Sequence, residues 1–402
     1  MDDAIRIQHK AKKYIPGGFS TESKKTDALF GSEFGPAYFK TAEGAELIDY
    51  DGKRYIDFGM GLGACTLGYN HPVVVEAIQN ELKNGIVTTL SSPLEPELAE
   101  LIVDMFPTIE QVRFLKTGAE ACSAAVRLSR AYTYREYILS SGYFGWHDWS
   151  NKDAGVPIAA RNLCIEFLFN DSSDFLDKFN NLPEYPAAVI LEPVVHEAPE
   201  RDFLKTIRDI CTKCGIVLIL DEIKTGARLG PGGAQEYYNF LPDLTVIGKG
   251  IAGGMPLAAI GGKKEIMDSW RKLWICSTLA GESLSLAAAI ATLKFFKENR
   301  VHEHIEKMGT HLYNGFKRIA RDFPKITDVS GIPQMTMIRL RRDLPNLKHF
   351  EAELFTEVLT SGFILRRNGY NYVSYAHTEK HIRDCLDVLY GAFERISKTL
   401  IA

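Results

Sequence analysis

Ile216–Gly230 reads IVLILDEIKTGARLG. Five consecutive apolar residues, Ile216–Leu220, run straight into a carboxylate, Asp221. No polar residue alternates with them, so a strand here has both faces covered, as in a parallel sheet layered between helices. Short, mostly apolar runs recur in AAVILE (Ala187–Glu192), LTVIG (Leu244–Gly248), VRFL (Val112–Leu115) and EYIL (Glu136–Leu139). Amphipathic helical stretches separate these runs, which predicts an α/β domain with a mostly parallel central sheet flanked by helices. Ligands of such sheets bind beyond the carboxyl ends of the strands. Those ends carry the chemically useful residues.

Outward from this centre, Pro16–Gly18 and YDGKRYIDF (Tyr50–Phe58) indicate an N-terminal helix, a loop and a small hairpin. From about Leu286 a long helix leads into a mixed segment that closes with HIRDCLDVLYGAFERIS. The predicted organisation is a large domain at 56–285 and a smaller α+β domain made from both termini, 1–55 and 286–402. A chain of 402 residues, 46% hydrophobic and 24% charged, has room for two such cores.

The net charge of −4 gives no bulk basic field for nucleic acid, so no nucleic-acid partner is expected. No apolar run reaches membrane-spanning length, and MDDAIRIQHKAKKYIPGG is too charged for a secretory signal, which sets the expectation of a cytoplasmic protein without a membrane partner. Seven scattered cysteines fit reduced thiols better than a disulfide framework. Cys211 and Cys214 share an apolar stripe with Phe203, Leu204, Ile207 and Ile210, which assigns them to core packing rather than to metal. No metal site is expected.

LPDLTVIGKGIAGGMPLAAIGG, Leu241–Gly262, sets Lys249 between an apolar strand and a glycine-rich segment. A phosphate-cradling loop needs its glycines before the lysine and a hydroxyl after it, whereas Gly250 follows here. Two readings remain: a solvated surface charge, or an amine in a partly dry crevice that attacks a carbonyl to form a Schiff base. The second needs partners. Asp221 offers a carboxylate, either for an arginine such as Arg228 or for a protonated pyridine nitrogen. FLKTGAEACSAAVRLSRA reads as strand, turn and helix, with the amides of Gly118 and Ala119 at a positive helix start suited to a phosphate. SGYFGWHDWS supplies Tyr143, an aromatic that either lies flat on a heterocycle or packs as an ordinary tyrosine. His147 has no evident metal partner and reads as structural.

With these motifs stand YDGKRYIDF, LGYNHPVVVEA, LEPV, DEIKTGARLGPGGAQ, STLAGESLSLAAA and SYAHTEKHI, in one order along nearly the whole chain. The sequence resembles the class III, fold type I pyridoxal-phosphate aminotransferases, and within them the glutamate-1-semialdehyde aminomutase branch. The resemblance implies pyridoxal 5'-phosphate as cofactor, Lys249 as the Schiff-base amine and Asp221 at the pyridinium nitrogen. It implies Tyr143 and Ile223 on the two ring faces, Gly118 and Ala119 at the phosphate, and Glu197 near the ring oxygen. Thr278 in STLAGES matches a family threonine that reaches the neighbouring subunit's cofactor, which implies a homodimer with shared active sites. The expected small-molecule partners are an amino donor and a carbonyl acceptor.

The chain departs from the aminomutase pattern in four places. The lid after the tyrosine motif is shorter, Phe144 replaces the usual histidine, and GGFSTES leaves Ser20 and Thr21 where an Asn-Ser-Pro run stands. The Ser-x-x-Glu element becomes RRNG, with Gly369 at the glutamate position and Arg366 and Arg367 upstream. Losing a carboxylate and gaining arginines suits an anionic substrate group, unless both arginines face solvent. The expected reaction is amino transfer from glutamate to a small keto or aldehyde acceptor, phosphorylated or sugar-derived, in surface-polysaccharide biosynthesis. The alternatives are intramolecular transfer of the aminomutase type and a cofactor-free interaction protein, which the retention of Lys249 and Asp221 opposes.

Overall fold

Along Val217–Asp221 alternate side chains enter two different cores. Val217 and Ile219 pack with Ala121 and Ala125 of the helix Gly118–Thr133, while Leu218 and Leu220 pack with Phe203, Leu204 and Ile207 of the helix Arg201–Cys214. Ala188 and Ile190 join the first core, and Val189 and Leu191 the second. Neither face of these strands meets water, which is why they carry no polar alternation. Cys211 is buried in the second core and Cys214 packs against it, as free thiols.

The computed structural model describes residues 3–32 and 35–401. The chain forms two units, Met1–His71 with Glu303–Ala402, and Pro72–His302. The N-terminal part of the first holds β1 (Phe39–Glu43), β2 (Glu46–Asp49) and β3 (Arg54–Asp57). The second unit holds β4 (Gln111–Leu115), β5 (Ile138–Ser141), β6 (Cys164–Glu166), β7 (Ala188–Leu191), β8 (Val217–Asp221), β9 (Leu244–Gly248) and β10 (Ala258–Gly262). The chain then returns to the first unit with β11 (Thr327–Ile332), β12 (Met335–Leu340), β13 (Phe363–Ile364) and β14 (Asn371–Tyr372).

The seven strands of the large unit are ordered β4-β10-β9-β8-β7-β5-β6. All pairings from β9 to β6 are parallel, and β10 is antiparallel to both β9 and β4. Ala258 pairs with Gly248 on one side and Leu115 on the other, so the residues after Gly248 and Leu115 leave the sheet at the same edge as those after Asp221. The small unit has two sheets, β1-β2-β3-β13 and β11-β12-β14, around its own core. There His377 lies buried beside Phe58, its Nδ1 accepting the Ser374 amide, which gives part of the SYAHTEKHI motif a packing role.

The division between units falls at 71/72 and 302/303, further along the chain than the sequence cut points. Tyr69 N–H donates to the Gly44 carbonyl and its hydroxyl to Asp57, which ties residues up to this point to the N-terminal hairpin. At the other end the helix Ser283–Asn299 packs on the helices Pro72–Glu81 and Leu94–Met105 of the large unit. Among the described residues no helix is long and apolar enough to cross a membrane, and no group of three or more His, Cys, Asp or Glu gathers as a metal site.

Candidate active site

Asp221 is the residue after Leu220 on the β8 alternation, so its side chain turns toward the helix Gly118–Thr133. Only 3% of it is exposed. Its Oδ1 accepts the Ile223 amide at 2.9 Å, and Oδ2 lies 3.5 Å from the Cys122 Sγ. Burial, and after it the negative charge of Glu192, pushes the Asp221 carboxyl up to about 7, while the Ile223 amide, Lys249 and Lys224 pull it down. Burial and then the Asp221 charge likewise raise the Cys122 thiol. Arg228, the other partner that sequence offers, donates Nε to the Lys224 carbonyl instead. A buried carboxylate here thus awaits a cation.

Lys249 follows β9 directly and starts a 3-10 turn, Lys249–Ala252, with φ 47°. It is half-buried. Among the described residues no hydrogen bond or ion pair engages its amine, although its charge is felt at Asp221. Lys224, three residues beyond Asp221, is engaged: its ammonium lies 2.7 Å from Glu192 Oε1, with 15% and 5% of the two side chains exposed. Of the two lysines, Lys249 is therefore the amine available for attack.

The helix Gly118–Thr133 starts at this edge with a capping box: Thr117 Oγ1 accepts the Glu120 amide, and the Glu120 carboxylate accepts the Thr117 and Lys116 amides. The amides of Gly118 and Ala119 remain without intrahelical partners, as at any helix start. Ile223 packs against two glycines: a Cβ on Gly118 would stand 3.0 Å from its Cδ1, and one on Gly248 2.7 Å from it. Gly145, with φ 98°, lies so close to Ala119 that any side chain would overlap it. Tyr143 is 72% exposed, and its amide donates to Glu192 Oε2 at 3.3 Å. Phe144 points the other way, into the core with Trp149, and His147 bonds Ser123 at 2.6 Å.

One edge of the large unit thus gathers Lys249, Asp221, Ile223, Tyr143, Gly118 and Ala119. The other expected residues have surroundings of their own. Glu197 is exposed and accepts from Asn170 at 3.0 Å. Thr278 is exposed on a turn that lines a cleft of about 590 Å³ with Thr88 and Ser92. In the small unit Ser20 is exposed and Thr21 half-buried. Arg367 is ion-paired with Glu351 at 2.7 Å, both largely buried, so its guanidinium is a structural link rather than an open anion grip. Arg366 lines a cavity of about 510 Å³ with Lys24, Tyr38, Asp57 and Tyr69, and its Nε is buried without a hydrogen-bond partner. Its guanidinium folds over Gly369, where a Cβ would stand 2.5 Å from Cζ. Sequence reading passed over Glu192 and Lys224 as site residues. Glu192 carries the signal that flagged Asp221, a carboxylate closing a continuous apolar strand, while the Lys224 pairing depends on two strands lying side by side.

The class-III aminotransferase family model matches residues 32–144 and 161–393. The chain belongs to the class-III aminotransferase family. Glutamate-1-semialdehyde 2,1-aminomutase of Methylacidiphilum infernorum is 34% identical over 97% of this chain and 97% of that protein. The aminomutase of Thermosipho melanesiensis is 32% identical, over 94% and 96% of the two chains. Among solved structures, the PLP internal aldimine form of the Sphingopyxis sp. MTA144 FumI protein superposes with a TM-score of 0.91 at 26% identity, covering 99% of this chain and 97% of that one. The large sheet with its antiparallel β10 is the fold type I architecture of these transferases. Class-III aminotransferases use pyridoxal 5'-phosphate, and the edge described above suits it chemically: a buried carboxylate for a basic ring nitrogen, open helix-start amides for a phosphate, an aliphatic face at Ile223 and an unengaged amine for a carbonyl.

Proposed function

We propose that this class-III aminotransferase moves an amino group from a donor amine, glutamate by family habit, to a separate small keto or aldehyde acceptor that carries an anionic group. The observation that carries the reading is the pairing of an unengaged Lys249 with a buried, cation-seeking Asp221 at one sheet edge. Pyridoxal phosphate, when bound, supplies a carbonyl for the donor nitrogen and a ring that withdraws electrons. Lys249 would provide the amine for that carbonyl and would carry a proton to and from the reacting carbon. Asp221 would keep the ring nitrogen protonated, the Gly118 and Ala119 amides would hold the phosphate, and Ile223 and Tyr143 would offer apolar and aromatic surface to the ring. Arg366, which shares its cavity with Asp57 and leaves Nε without a hydrogen-bond partner, is the guanidinium proposed for an anionic group of the acceptor.

Intramolecular transfer is the second reading, favoured by the names of the relatives that are 34% and 32% identical. Against it stand Gly369 and the segment 145–160, which falls outside the family match. An aminomutase retains its intermediate behind a lid, and this segment is where the lid is short. Sugar-derived acceptors of surface-polysaccharide pathways remain the expected class. The test is to convert the enzyme to its amine-loaded form with glutamate, remove the donor, and offer phosphorylated and carboxylated carbonyl compounds one at a time. Return of the original visible spectrum with a phosphorylated acceptor supports the proposal. Turnover of glutamate-1-semialdehyde without any donor, and no response to the panel, assigns the chain to the aminomutases.

A further inference from the structure

Lys224 is a second lysine at the same strand-end edge, and the mechanism above leaves it without a role. Two carboxylates, Asp221 and Glu192, are buried close enough for the charge of one to disfavour ionisation of the other. Besides the Ile223 amide, four titratable groups bear on Asp221: Cys122 from the helix Gly118–Thr133, Glu192 from the end of β7, Lys249 from the end of β9, and Lys224 from its own loop. Lys249 would be engaged with the cofactor's carbonyl, so it is not counted as a constant counter-ion. Lys224 holds its contact to Glu192 Oε1 at 2.7 Å, while the other oxygen, Oε2, accepts the Tyr143 amide. A Cβ at Gly142 would stand 2.7 Å from Glu192 Cγ, so the Tyr143 loop is moulded on this same carboxylate. A buried carboxylate is retained only if paired.

On the reading proposed above, we propose that Lys224 is a positioning residue: its ammonium neutralises Glu192, leaving Asp221 as the ionised carboxylate that holds the cofactor's ring nitrogen, and it anchors the loop bearing Tyr143. Removing the cation leaves the Glu192 charge unanswered and favours the protonated form of Asp221. The ring nitrogen then loses its partner at neutral pH and regains it only as the pH rises.

The test compares wild type, Lys224→Met, Lys224→Arg and the double variant Lys224→Met/Glu192→Gln, with pyridoxal phosphate as the probe. Its dissociation constant is measured across the neutral and alkaline range, alongside the pH midpoint of the visible spectrum of the bound form and the melting temperature. Lys224→Met is expected to weaken binding about tenfold near pH 7 and to move the midpoint by about one unit, the two being one effect. Lys224→Arg is expected to hold both, and the double variant to recover most of the loss because no unanswered charge remains. An unchanged Kd and midpoint in Lys224→Met overturns the proposal, as does a double variant as impaired as the single one, which assigns Lys224 to packing alone. Should wild-type protein lack a visible band that Lys249→Ala abolishes, the cofactor site itself is wrong and the role of Lys224 falls with it. A normal wild-type band with an indifferent Lys224→Met removes only Lys224.

Discussion

At the scale of single residues the site rests on two groups, an amine without a partner and a buried carboxylate. Lys249 sits with a left-handed φ of 47° and no partner for its amine, an arrangement that does nothing evident for stability. Lys249→Ala is therefore expected to abolish amino transfer while altering unfolding free energy by no more than about 1 kcal/mol, a split that activity and urea denaturation read separately. Asp221 behaves otherwise. Its carboxyl is pushed up from 3.8 to about 7 by burial and by Glu192, so the cofactor-free folded state binds this proton more tightly than the unfolded chain does. Its stabilising contribution is complete below the unfolded value and is lost as pH rises toward 7. In cofactor-free protein the stability difference between wild type and Asp221→Asn is accordingly expected to drift in favour of the amide from about pH 4 to about pH 7. A difference that stays flat across that range contradicts the burial argument.

At the scale of elements, the start of the helix Gly118–Thr133 converts a local sequence signal into a binding edge. The Thr117–Glu120 capping box holds the first turn in register, and removing one half of it by Thr117→Ala is expected to cost about 1 kcal/mol, measured by chemical denaturation, with weaker pyridoxal-phosphate retention as a second readout. The TGAE turn was readable because both partners of the box lie within four residues. Gly145 was not. Its need for a bare backbone comes from the approach of the loop after β5 to Ala119 at the start of a helix two elements earlier, a closeness that no local pattern records.

For the large unit as a whole, several large apolar side chains stand exposed on the segments before and around Thr278. Leu90 is 82% exposed and Trp274 89%, while Ile86, Val87 and Leu279 are also exposed on the segments that border the cleft at Thr278. Exposed apolar side chains of this kind suit an association surface; the expectation from STLAGES is a homodimer in which Thr278 would serve the neighbouring subunit's site. The protein is expected to sediment as a dimer, and Trp274→Glu together with Leu90→Glu to yield monomer that retains its fold but binds pyridoxal phosphate at least about tenfold more weakly, since burying a charge at an apolar contact is unfavourable. A monomeric wild type with full cofactor affinity rules this out.

The sequence by itself determined the sheet and much of its functional edge. Continuous apolar runs can be satisfied only between two helical layers, and the alternation along β8 and β7 follows from that alone. A carboxylate or an amine that ends such a run emerges at the edge where ligands of such sheets bind, so Asp221 and Lys249 were legible as candidates, beside the readings of an arginine partner and a solvated charge. Which charges cancel was decided by tertiary structure. Lys224 meets Glu192 and Arg367 meets Glu351 because distant segments converge, and that convergence engages one of the two lysines and one of the two arginines in ion pairs. The antiparallel β10 and the unit boundaries belong to the same class of fact. They depend on which surfaces exclude water together, and a linear order of residues does not state which surfaces will meet.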